Sequence, residues 1–130
     1  PLLDRIDIHI EVPRVSITEL TSRPTGESSI TIRERVEKAR RIQQKRFAGM
    51  KIFCNAQMTP KMVENYCKLT TETETLIREA IAKLGFSARA YTKILKVART
   101  IADLDNVDII EPYHIAEAIQ YRGLDRKFWV

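Results

Sequence analysis

Glycine and proline are scarce: the 130 residues hold four of the first and five of the second. So few turn formers disfavour a many-stranded sandwich or barrel and leave helices as the default. Cysteine is equally thin. Cys54 and Cys67 are separated by twelve residues, which fits neither a disulfide scaffold nor a Cys-x-x-Cys metal or redox pair, so both are expected as free thiols. The two histidines, His9 and His114, have no His or Cys neighbour at metal-ligand spacing, which disfavours zinc chemistry. None of Gly26, Gly49, Gly85 and Gly123 opens a phosphate-cradling G-x-x-x-x-G-K-S/T loop, so nucleotide hydrolysis by these residues alone is not expected. No G-x-S-x-G or Cys-His signature supports a nucleophile-base pair. Apolar runs stay far below the ~20 residues that cross a bilayer, and the N-terminus lacks the order of a signal peptide, so a cytoplasmic protein with no membrane partner is expected.

What is present is ordinary for a globular chain: 44% hydrophobic and 30% charged residues, with 22 Lys and Arg against 17 Asp and Glu, a net charge of +5. The mild positive balance makes an anionic partner such as nucleic acid or nucleotide worth testing. The length suits one compact domain. The chain opens at Pro1 and runs into Ile6-Asp7-Ile8-His9-Ile10-Glu11-Val12, whose strict alternation reads as a strand with one buried face. A lone strand is not stable and nothing downstream pairs with it, so the expectation is that the chain begins inside a larger domain. Residues 13–28, with Arg23-Pro24-Thr25-Gly26, read as a linker.

Beyond it, local signals mark about five helices with short connections, the pattern of a small α bundle. Ser28 or Ser29 caps the first, with Ile32, Val36, Ala39, Ile42 and Phe47 as its apolar stripe. Thr59-Pro60 begins the second, Thr70 or Thr71 the third, which Gly85 ends, and Ser87 caps the fourth. In the fourth, Ile94, Leu95 and Ala98 are expected inward, Lys93, Lys96 and Arg99 outward. Glu111-Pro112 introduces the last, on which His114 is expected as an exposed or capping residue. A tail with Phe128 and Trp129 follows, either a packing anchor or, with the acidic C-terminal segment, a contact for another protein.

The chemistry-bearing candidates are cations. Between Arg33 and Lys51 there are eight basic residues and two acidic ones, so this segment alone carries +6. Arg33, Arg40, Arg41, Lys45 and Arg46 could follow a nucleic-acid backbone; a solvated helix face without stacking aromatics is the plain alternative. Arg5 stands at the start of the strand, where it could project from a domain edge or simply be solvated. Arg89 falls in the first turn of the fourth helix, beside Ser87. A cation there opposes the helix dipole, an arrangement that is either an ordinary surface charge or a phosphate contact.

Three stretches together carry a resemblance: Pro1-Leu2-Leu3-Asp4-Arg5-Ile6-Asp7-Ile8, the helix from Ile32-Arg33-Glu34-Arg35-Val36 to Arg46-Phe47, and Phe86-Ser87-Ala88-Arg89-Ala90-Tyr91 through Leu104. With Ile115-Ala116-Glu117-Ala118-Ile119-Gln120-Tyr121-Arg122, they resemble the C-terminal part of the magnesium-chelatase-like AAA+ ATPases of the ComM/YifB family. The resemblance implies a mainly α fold: an AAA+ helical lid over residues 29–130, preceded at 1–28 by the last β-strand of a truncated α/β ATPase core. It implies a hexameric ring of like subunits and a DNA-processing motor of natural transformation, using ATP and Mg²⁺ in the full-length protein, with no cofactor expected on this part alone. By the same resemblance Arg5 takes the place of the arginine finger, acting in trans, and Arg89 that of the sensor-2 arginine. DNA is a further implied partner, and the alternatives are a basic nucleic-acid-binding module or the interaction domain of a magnesium chelatase ATPase subunit.

Overall fold

In a computed structural model, residues 2–23 and 26–123 are described. The turn read at Pro24-Thr25 and the Phe128-Trp129 tail fall outside them. Six helices follow in order: α1 (Ile17–Thr21), α2 (Ser29–Arg46), α3 (Pro60–Tyr66), α4 (Thr71–Leu84), α5 (Ala88–Leu104) and α6 (Pro112–Gln120), with single 3₁₀ turns at Leu3–Arg5 and Asn55–Gln57.

Serine and threonine start five of the six helices. The side chains of Ser16, Ser28, Thr59, Thr70 and Ser87 each accept a hydrogen bond from a backbone N–H in the first turn, satisfying a donor the helix leaves free. Pro60 and Pro112 sit where a missing N–H costs nothing. Gly85 closes α4 with φ +70, a left-handed turn that a side chain would strain. The short α1 lies inside the stretch read as linker. Its signal is the box Ser16-x-x-Glu19, in which Glu19 accepts from the Ser16 N–H at 3.1 Å while Ser16 Oγ accepts from the Glu19 N–H at 3.2 Å.

The central element is α5. It packs against α6, α2 and α3, and α4 lies on α6. Ile94, Leu95, Ala98 and Ala102 of α5 meet Phe47, Met58, Val63, Cys67, Ile77, Ile110, Ile115 and Ala118 in one core. Phe47 and Tyr66 meet edge to face with centroids 5.6 Å apart. An isolated parallel bridge joins Leu69 to Ile110.

Two expectations fail here. The residues read as a strand, 6–12, form no ladder, and no strand occurs among the described residues. Their apolar side is exposed, Val12 at 76%, while His9 is the buried residue. A strand needs backbone partners; here the Arg122 side chain meets two of the segment's carbonyls, those of Ile6 and Asp7. The α2 stripe is also shorter than its period suggests. Ile32 and Val36 remain exposed, and the buried residues of α2 begin at Ala39, in the half of the helix whose end meets α5 through Arg46 and Asp103.

Candidate functional site

Arg89 stands in the first turn of α5, exposed, two residues after the cap that Ser87 provides by accepting from the Ala90 N–H at 3.1 Å. It has no hydrogen-bond or ion-pair partner among the described residues. A free guanidinium at the positive end of a helix, where backbone N–H groups also point, is fitted to an anion such as phosphate. Arg5 ends the 3₁₀ turn Leu3–Arg5 and is exposed too.

The segment that carries Arg5 is fixed to the helices by polar contacts. Arg122, just beyond α6 and fully buried, donates Nη1 to the Ile6 carbonyl and, at 3.3 Å, to that of Asp7, and Nη2 to the Leu3 carbonyl at 3.1 Å. The His9 N–H donates to the Tyr121 carbonyl at 2.6 Å, and His9 Nε2 lies 2.9 Å from the Leu3 oxygen. Lys93 Nζ of α5 is 2.5 Å from Asp7 Oδ1. From the sequence Lys93 is expected to face outward and Arg122 has no part assigned to it, since nothing local marks the contacts that either one makes.

The basic residues of α2 are divided by the fold. Arg41 and Lys45, with Arg35 and Lys38, line a groove of about 700 Å³ between α2 and the end of α5. Arg33 and Arg40 are exposed outside it. Arg46 turns inward. Its Nη1 and Nη2 donate to Asp103 Oδ2 and Oδ1 at 2.8 and 2.6 Å, and Nη1 also reaches Asn55 Oδ1 at 2.9 Å. The hydrogen bonds that Arg46 donates to Asp103 hold the Arg46 pKa above its ordinary value. The guanidinium expected on a phosphate is thus engaged in the interior.

Arg99, expected outward, is buried at 4% exposure. It donates Nη1 to the Asp108 carbonyl and Nη2 to that of Val107, both at 2.6 Å, and so ties down the connection between α5 and α6. Burial lowers its pKa. His114, expected exposed or capping, is fully buried and does cap: its Nδ1 accepts from the Glu111 N–H at 2.9 Å. That bond leaves Nε2 as the donor toward Asp105 Oδ2, 3.1 Å away.

Comparison with known proteins agrees with this architecture. The family model described as magnesium chelatase, subunit ChlI C-terminal, matches residues 26–122. The chain belongs to that family. It is 46% identical over 127 residues to the competence protein ComM of Haemophilus influenzae and 41% identical over 128 residues to the uncharacterized protein YifB of Escherichia coli, covering 97% of this chain in both cases. A Mycobacterium tuberculosis relative, the uncharacterized protein Rv2897c, is 26% identical over 122 residues, 94% of this chain. The chain spans 24% of the length of each of these relatives. It corresponds to the C-terminal region of ComM/YifB-type, magnesium-chelatase-like AAA+ family members, and its mainly helical fold is that of their lid.

Among the described residues no cluster of three or more His, Cys, Asp or Glu is placed to hold a metal ion, and no helix is long and apolar enough to cross a membrane.

Proposed function

We propose that this chain is the lid and ring-interface module of a cytoplasmic AAA+ motor that processes DNA, in which Arg89 contacts the nucleotide of its own subunit and Arg5 reaches the nucleotide of the next subunit in a hexameric ring. The observation that carries the reading is the exposed Arg89, without a partner among the described residues, beside the Ser87 cap at the start of α5. Residues 29–130 are the lid in this reading, and 1–28 the end of the ATPase core.

When bound, Mg²⁺-ATP would supply the phosphoryl group for transfer, with the metal held by parts of the full-length protein outside this chain. The work of Arg89 and Arg5 is to bind and neutralise phosphate oxygens. Charge spreads over several oxygens in phosphoryl transfer, and a planar, permanently charged fork meets that need better than an ammonium. Competence in its relative's name supports a DNA-directed task.

The test is ATP turnover by the full-length protein. Arg5→Ala is expected to lower kcat by ~10³-fold or more, the usual worth of a finger arginine. Arg89→Ala is expected to impair turnover as well, with lysine restoring little at either position. Near wild-type turnover by both alanine variants would defeat the proposal.

A second reading is favoured by the groove beside α2: Lys38, Arg41 and Lys45 share it, and Arg33 and Arg40 extend the charge to the neighbouring face. These cations would follow a DNA backbone, giving binding that weakens steeply with salt. Fluorescence anisotropy with single-stranded and duplex DNA checks it, and absence of binding at low salt removes it.

A further inference from the structure

A fully buried arginine is rare unless its donors are met. Arg122 meets them on the backbone of one short turn, the carbonyls of Leu3, Ile6 and Asp7, which bracket Arg5. Those acceptors are up to 119 residues away in sequence. The same turn is held at two further points. His9 bonds the chain beside Arg122, at Tyr121, and Asp7 pairs with Lys93. Lys93 stands one helical turn after Arg89, so the two cations lie on one side of α5. Lys93 is tied to the Arg5 segment, and Arg89 has no partner among the described residues.

We propose that Arg122 is the positioning residue for the Arg5 turn, and that with Lys93 it makes this turn move as one body with the helix that carries Arg89. This rests on the assignment of Arg5 and Arg89 above. Its consequence is a mechanical link: a tilt of α5 in response to its own subunit's nucleotide carries the arginine presented to the neighbour. The fork geometry of Arg122 suits this task, since one rigid planar group fixes several carbonyls at once, which a flexible ammonium cannot do. Apolar packing adds to this at the half-buried Leu3, while Ile6, Ile8 and Ile10 are all exposed.

The experiment measures steady-state ATP turnover by the full-length protein carrying Arg122→Met, Arg122→Lys, Lys93→Met, Arg5→Ala, or Arg5→Ala with each methionine variant. Displacing a catalytic group by about an ångström typically costs ~10²-fold, and a loss of that order in kcat is expected for Arg122→Met, with the KM for ATP little changed. Arg122→Lys should recover part of it. Lys93→Met removes a partly exposed contact, so it should fold normally and act in the same direction more weakly; it decides the matter if Arg122→Met does not fold. Neither methionine change should lower turnover further once Arg5 is alanine, because residues acting through one group are not additive. A general loss of structure would not give that pattern. Wild-type kcat in both methionine variants while Arg5→Ala is impaired overturns the link and leaves the finger assignment standing, as does a full further loss on the Arg5→Ala background. Full turnover by Arg5→Ala instead overturns the finger assignment and the link with it.

Discussion

Arg46 at the end of α2 closes a two-bond fork on Asp103 near the end of α5, with nitrogen-oxygen distances of 2.8 and 2.6 Å, and Asp103 also accepts from Asn55 Nδ2 at 2.9 Å. The Asp103 side chain is 1% exposed and that of Arg46 13%. Removing Asp103 strands a buried charge, at a cost of about 3–5 kcal/mol, whereas removing Arg46 leaves Asp103 with Arg99, whose Nε is 3.3 Å from Oδ1. Asp103→Ala is expected to lower stability on that scale in urea or thermal unfolding, and Arg46→Ala by less. The double variant should lose less than the sum of the two. Additive losses would show that the pair is not coupled.

Acid should act at the connection between α5 and α6. The Asp105 carboxylate accepts from Tyr113 Oη at 2.7 Å and from His114 Nε2, and these bonds, Tyr113 first, hold its pKa below the ordinary carboxylate range. A depressed folded-state pKa means that the contribution is complete above the unfolded value, roughly pH 4, and is lost as pH falls through the folded value. Asp105→Asn should therefore flatten the acid limb of the stability curve. An unaltered acid limb contradicts this. Since the carboxylate is solvent-exposed, the effect should be modest.

The thiols should differ in reactivity. Cys67 lies in the core, 4% exposed, and burial pushes its pKa up to about 11. Very little thiolate exists at pH 8, and thiolate is the reactive form. Brief alkylation of the folded protein followed by mass spectrometry is expected to leave Cys67 unmodified while the more accessible Cys54 reacts. Labelling of Cys67 at the rate of an unfolded peptide would contradict its placement.

Much of the helix plan is legible residue by residue. The caps at Ser28, Thr59, Thr70 and Ser87 and the stop at Gly85 act within four residues of themselves, so local chemistry suffices to find them. The placement of Arg89 in the first turn of α5 follows from Ser87 for the same reason. Even α1 had its sign, in the spacing of Ser16 and Glu19. The segment 6–12 is the opposite case. Its alternation fits a strand, but a strand is a relation between chains of backbone groups, and no period within one segment supplies the partner.

The fates of the arginines needed the assembled bundle. Arg41, Arg46, Arg99 and Arg122 are the same residue type on or beside amphipathic helices, yet one lines an open groove and three are drawn inside. What separates them is whether the fold brings acceptors to the guanidinium: Asp103 for Arg46, 57 positions on, and the Ile6 carbonyl for Arg122, 116 positions back. Composition and local spacing determine where helices begin and end, since those choices are made over a few residues. Which cation stays free for phosphate and which becomes part of the interior is decided by acceptors distant in sequence, and only packing sets those distances.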